Sequence, residues 1–156
     1  NLLKFTYNFR TVRCEPLVSM GQLSRTLNKL GWTIPILPEL DDLTVGGLVM
    51  GTGIETSSHK YGLFQVGSKH SGVHSKLIGY NDMLLAICKS YELVMADGSI
   101  TTCSESVNSD LFYAVPWSYG TLGFLVSVEI QIIPCKRFIK LDYYPTYTLD
   151  QTAEVS

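Results

Sequence analysis

The chain has 156 residues, 46% of them hydrophobic and 17% charged, with a formal net charge of −2. That length suits one domain and that composition a packed core, which excludes a disordered segment. The charge balance offers nothing to nucleic acid or an anionic membrane surface, and no apolar run approaches the ~20 residues of a membrane span.

In chain order, Asn1 opens in mid-pattern without a Met or a signal peptide, so the chain reads as a fragment whose N-terminus lies upstream. Thr11–Val18 reads as a strand ending in a turn. Ser19 and Gln22 then match a capping box, with Ser19 as N-cap and Gln22 three positions on. Leu23, Leu27 and Leu30 follow at helical spacing, and Gly31 stops the helix at the position after its last turn. Trp32–Pro38 holds Pro35 and Pro38 and is expected to be extended and irregular. Glu92–Ala96 and Ile100–Cys103 flank Asp97-Gly98, a hairpin signal. Asn108 or Ser109 caps a short helix through Leu111–Val115, which Pro116 ends. Trp117–Gly123 is a loop. In Phe124–Pro134, Val126, Val128, Ile130 and Ile132 point to a buried face and Ser127, Glu129 and Gln131 away from it. Arg137–Tyr144 partly repeats that pattern. The expected class is α+β, a mostly antiparallel sheet with flanking helices.

The most informative stretch is Thr44–Thr56, TVGGLVMGTGIET, with Gly46, Gly47, Gly51 and Gly53 in thirteen residues and almost no charge. Glycine permits φ > 0 and close approach of a backbone or a ligand. The spacing matches neither a P-loop nor a Rossmann fingerprint. Spacing alone favours a loop with tight turns between packed elements. The polar groups nearby are Thr44, Thr52, Glu55, Thr56, Ser57, Ser58, His59, Lys60 and Tyr61. Glu55 and His59, four apart, are an acid/base pair in principle and solvent-exposed loop polarity by preference. Tyr61-Gly62 closes the loop. Trp117, Tyr113 and Tyr119 read as core or rim packing, and Asp41-Asp42 as a turn cap.

Cys14, Cys88, Cys103 and Cys135 are widely spaced and lack a Cys-x-x-Cys, so they read as free buried thiols with no metal. Val66–Ala86 has no clear period and carries His70 and His74. Gly67 and Gly72 argue against the helix that would bring those histidines together on a metal.

The strings LDDLTVGGLVMGTGIETSSHKYGLFQ, YELVMADGS and NSDLFYAVPWSYGTLGFLVSVEIQIIP resemble the Δ24-sterol reductase family, flavoproteins with a p-cresol-methylhydroxylase-type FAD domain. The resemblance runs from about Val12 to about Leu141 outside Val66–Ala86. It implies the second of two α+β subdomains that hold FAD between them. FAD contacts would come from Thr44, Val45, Gly46, Gly47, Leu48, Val49, Met50, Gly51, Thr52, Gly53, Ile54, Glu55 and Thr56, largely through main-chain N–H groups. The Gly120-Thr121-Leu122-Gly123 turn would also face the cofactor. The family reaction passes hydride from NADPH through FAD to the C24=C25 double bond of a sterol. By resemblance the whole enzyme sits in the endoplasmic reticulum membrane, held there by regions outside this chain, with a sterol as its substrate partner and no nucleic acid. Residues 1–156 would then be a partial FAD-binding domain, without the upstream FAD subdomain or the downstream substrate domain. Val66–Ala86 stands where the family has a single His, and reads either as an inserted loop or as unspliced sequence. The alternative reading is a truncated or mis-spliced relative without catalysis, acting at most as a binding module. A flavin oxidase of a sugar acid or lactone is a third reading that Trp32–Leu40 and Pro116–Tyr119 fit less well.

Overall fold

Among the described residues, five antiparallel strands carry the fold: β1 (Lys4–Thr6), β2 (Thr11–Cys14), β4 (Cys88–Val94), β5 (Ile100–Ser104) and β6 (Phe124–Gln131). Their spatial order is β1-β2-β6-β4-β5. A two-stranded ribbon pairs β3 (Trp32–Thr33) with β7 (Ile133–Pro134). The helices among the described residues are α1 (Met20–Lys29), α2 (Val45–Met50), α3 (Ser58–Tyr61), α4 (Ser109–Ala114) and α5 (Leu149–Val155). The computed structural model describes residues 4–6, 10–65 and 87–155. Val66–Ala86, with His70 and His74, lies outside the described residues, and so does the choice between a loop and unspliced sequence.

The two sheet faces differ sharply in chemistry because side chains alternate along a strand. Val12, Cys14, Cys88, Tyr91, Leu93, Cys103, Val128 and Ile130 are almost fully buried and meet Leu23 and Leu27 of α1, Val45 and Val49 of α2, and Phe112 of α4 in one core. The other face is polar. Arg13 donates through its guanidinium to Ser127 Oγ and to Glu92, Ser127 Oγ donates to Glu92 Oε2 at 3.2 Å, and Glu129 accepts from Thr11 and Ser90 at 2.6 and 3.0 Å. These ladders cross three strands, so each carboxylate has donors on a neighbouring strand.

Several local expectations hold. Ser19 Oγ accepts from the Gln22 N–H at 3.3 Å while Gln22 Oε1 accepts from the Ser19 N–H at 3.1 Å, the reciprocal capping box. Gly31 follows α1 with φ +79°, a left-handed value that suits a residue without Cβ. The β4–β5 hairpin turns through Met95–Ser99. Gly98 there has φ +82°, and Asp97 Oδ1 accepts from the Ser99 N–H at 2.9 Å.

Other expectations need correction. β2 ends at Cys14 rather than Val18, because Glu15-Pro16 turns the chain and the Val18 N–H bonds back to the Glu15 carbonyl. On β6 the simple alternation fails at Val126. Glu92 pairs with Ser127 and Leu93 with Leu125, so Val126 is an extra residue in a bulge. The phase shifts there: Leu125 is buried, Val126 only half-buried, and Ser127 only 9% exposed. Asn108 does precede α4, but with φ +49° and no side-chain cap; its amide donates instead to the Thr102 carbonyl at 2.9 Å. Arg137–Tyr144 forms no strand, since no described strand pairs with it, and Phe138, Ile139, Leu141 and Tyr143 are exposed. Asp41, expected as a turn cap, instead accepts from Arg25 through its carboxylate at 2.7 Å on the surface.

Candidate functional site

The glycine string is only in part the loop with tight turns that its spacing favours. Val45–Met50 is a helix, with Thr44 as N-cap and Thr44 Oγ1 accepting from the Gly47 N–H at 3.2 Å. Val45, Leu48 and Val49 supply its buried side, at helical spacing. The glycines serve close approach rather than φ > 0, and none of the four has a positive φ. A Cβ on Gly46 would lie 2.7 Å from Pro16 Cβ, one on Gly51 would lie 2.8 Å from the Gly47 carbonyl oxygen, and one on Gly53 would lie 2.6 Å from Phe64 Cβ.

Beyond the helix the chain turns through Gly51-Thr52-Gly53 and is held from inside. Gln65, fully buried, accepts from the Gly53 N–H at 3.1 Å through Oε1 and donates from Nε2 to the Gly51 carbonyl at 3.0 Å. The Phe64 N–H donates to the Gly53 carbonyl at 2.9 Å. Thr52 and Ile54 are exposed, and their main-chain N–H groups make no hydrogen bond among the described residues. The string then enters α3: Glu55 N–H donates to Ser58 Oγ at 2.9 Å, and Ser57 Oγ donates to the Pro35 carbonyl at 2.9 Å. Tyr61 is half-buried and packs against the core. The side chain of His59, the prospective partner of Glu55, lies outside the described residues. Burial raises the Glu55 carboxyl, and the Glu39 carboxylate beside it adds to the rise by repulsion and a shared hydrogen bond.

Trp117–Gly123, some seventy residues later, packs beside the end of α2. Tyr119 N–H donates to the Met50 carbonyl at 3.3 Å, and Ser118 Oγ contacts Met50 Sδ at 3.2 Å. Trp117 and Tyr119 hold left-handed backbones, φ +62° and +51°, and Gly120 has φ +78°. Such a conformation costs a non-glycine residue on the order of 1–3 kcal/mol, and it persists only where surrounding bonds enforce it. Here the Ser118 N–H to the Val115 carbonyl (3.1 Å), the Thr121 N–H to the Ser118 carbonyl (3.0 Å) and the Met50 contacts enforce it. Trp117 and Tyr119 sit at the rim, 42% and 79% exposed.

Three of the four thiols are buried as expected and are poor nucleophiles, whereas Cys135 is partly exposed. Burial pushes Cys14 and Cys88 up to about 12 and Cys103 up to about 11. Among the described residues no group of three or more His, Cys, Asp or Glu could hold a metal ion.

Of the thirteen expected contact residues, Val45, Leu48, Val49 and Gly53 are buried, and Gly47, Thr52, Ile54 and Thr56 face solvent. Sequence reading gave Gln65 no role. Its signal was a lone polar residue closing the apolar run Leu63-Phe64.

An antiparallel sheet flanked by helices is the fold that this chain shares with solved oxidases. The 6-hydroxy-D-nicotine oxidase of Arthrobacter nicotinovorans superposes on 86% of this chain with TM-score 0.65 at 22% identity, over 25% of its own length. In sequence the chain is similar to curated Δ24-sterol reductases. It is 54% identical over 154 residues, 99% of its length, to the Delta(24)-sterol reductase of Rattus norvegicus, and 29% identical over 137 residues, 88% of its length, to the L-gulonolactone oxidase of Mus musculus. The chain spans about a quarter of the length of these curated relatives, 26% in both cases. No family model matches it.

Proposed function

We propose that the chain supplies one wall of an FAD site in a Δ24-sterol reductase-type oxidoreductase. The observation that carries this reading is the convergence of Thr44–Thr56 with the strained Trp117–Gly123 loop at Met50. The fit with FAD is physical. Exposed Gly47 and half-buried Gly51 let a ligand reach the main chain, and the Thr52 and Ile54 amides are available as donors to pyrophosphate oxygens. Val45, Leu48, Val49 and Gly53 would act from below by holding the main chain of Gly46, Met50, Glu55 and Thr56 in place. When bound, FAD supplies the hydride chemistry, and the protein's part is to place and shield it.

In the whole protein, the reading assigns residues 1–156 to a partial FAD-binding domain. The opposite wall and the substrate-binding domain would come from other parts of the polypeptide, with NADPH as hydride donor and a sterol C24=C25 double bond as acceptor. The sterol reading rests on the 54% identity, against 29% for the lactone oxidase. Placement in the endoplasmic reticulum membrane belongs to the same proposal. No helix among the described residues is long and apolar enough to cross a membrane.

The test is flavin content. The whole protein is expected to purify with visible flavin absorbance and to bleach on anaerobic addition of NADPH, with the absorbance returning when a Δ24-sterol is added. The 156-residue chain alone is expected to retain little FAD through gel filtration, because a cofactor held between two subdomains loses about half its contacts. A colourless whole protein that FAD cannot reconstitute sinks the reading. Stoichiometric flavin on the short chain would show that the cofactor is misplaced.

A further inference from the structure

We infer that Gln65 is a positioning residue for the proposed cofactor contact, an internal clamp that sets the shape of Gly51-Thr52-Gly53. The inference rests on the FAD reading above and extends it to a residue outside the Thr44–Thr56 string.

A fully buried glutamine amide must find partners for a carbonyl oxygen and two N–H groups. Gln65 spends its oxygen and one N–H on one short stretch of main chain, accepting from the Gly53 N–H at 3.1 Å and donating to the Gly51 carbonyl at 3.0 Å. A side chain thereby reproduces the pairing that a neighbouring strand would offer. The Phe64 N–H to the Gly53 carbonyl, 2.9 Å, extends that pairing by one bond. The base of the clamp is fixed in turn, because the Cys88 thiol on β4 donates to the Phe64 carbonyl at 3.3 Å. The turn thus hangs from the central sheet through Phe64 and Gln65. Its inward N–H and C=O groups are satisfied by protein, and Thr52, between the two glycines, is left exposed. A turn without side chains at Gly51 and Gly53 has many accessible shapes, and pairing from within selects one before any ligand arrives. Methionine fills the same volume without either hydrogen bond. Glutamate buried at this site is neutral, and its carboxyl keeps an acceptor for Gly53 and an O–H donor for Gly51.

The experiment uses the whole flavoprotein with Gln65→Met, Gln65→Glu and a control, Leu27→Ala, which opens the core in α1 away from the turn. FAD affinity is read by flavin fluorescence, the setting of the flavin by visible circular dichroism, and the turn by hydrogen exchange at the Gly53 amide. The clamp predicts about tenfold or greater loss of FAD affinity, an altered visible dichroism and faster Gly53 exchange in Gln65→Met. It predicts a smaller loss in Gln65→Glu, and wild-type affinity in Leu27→Ala despite a lowered melting temperature. Equal affinity in wild type and Gln65→Met, or equal losses in Leu27→Ala and the Gln65 variants, overturns the positioning role. If Gln65→Met does not fold, Gln65→Glu against Leu27→Ala decides in the same way. A wild-type protein that binds no FAD overturns the functional reading instead. The clamp is then decided by exchange alone: it stands if Gln65 substitution speeds exchange at Gly53, and falls if that rate is unchanged.

Discussion

Gly53→Ala separates two reasons for a glycine, conformational freedom and lack of bulk. Gly53 is buried and its φ is not in the left-handed region, so alanine loses nothing by conformation. The cost is steric. The new Cβ would stand 2.6 Å from Phe64 Cβ and 3.2 Å from Leu48 Cδ2. Carbon pairs settle at about 3.5–4.0 Å, so the neighbours must open by roughly 1 Å. Phe64 cannot swing away at low cost, because its Cβ sits on a backbone tied at both ends, N–H to Gly53 at 2.9 Å and carbonyl to the Cys88 thiol at 3.3 Å. Overpacking of this kind costs about 1–3 kcal/mol. At about 2–4 °C per kcal/mol for a chain of this size, the midpoint should fall by about 2–12 °C. Thermal unfolding followed by far-ultraviolet circular dichroism measures it. A Gly53→Ala melting curve superimposable on wild type would refute the steric argument, because only a site with room for a methyl group could produce it.

The opposite case is Gly98→Ala, where no heavy atom lies within 4 Å of the new Cβ but φ is +82°. It should still lower stability by about 1 kcal/mol, read from the same melting curves, and a neutral result would mean that the β4–β5 turn relaxes freely. Iodoacetamide at pH 8 should modify partly exposed Cys135 first and leave Cys14, Cys88 and Cys103 intact until the chain unfolds; mass spectrometry showing Cys14 or Cys88 labelled as fast as Cys135 would contradict their burial. Glu55 has a folded-state pKa above its unfolded value, so its ionisation in the folded state opposes folding, and that penalty grows as pH rises from the unfolded pKa through the folded one. Glu55→Gln should therefore stabilise the protein at pH 7, with the gain vanishing below about pH 4, where Glu55 is protonated in both states. Denaturant midpoints at the two pH values test it, and an equal gain at both would exclude the titration of Glu55 as its source.

Local chemistry is what the sequence alone determined. The Ser19–Gln22 box, the stop at Gly31 and the Asp97-Gly98 hairpin rest on bonds between residues a few positions apart, so their signals lie within a short window of sequence, and the α+β class follows from the local patterns of its strands and helices. The long glycine and Tyr-Gly-Leu-Phe-Gln strings carried the family likeness for the same reason, since a string is matched letter by letter. Tertiary structure alone decided the rest. Val126 left its expected face because the register between β4 and β6 slips by one residue, a property of two strands that neither encodes by itself. Arg137–Tyr144 has a strand-like pattern and no strand, because alternation becomes a strand only where a neighbour accepts its hydrogen bonds. The purpose of Gly46 and Gly53 depended on Pro16 and Phe64, brought against them by the fold. Gln65 became visible only once its amide lay within 3.1 Å of a turn twelve residues earlier. A buried polar group is defined by the partners it finds, and those partners exist only after the chain has closed around them.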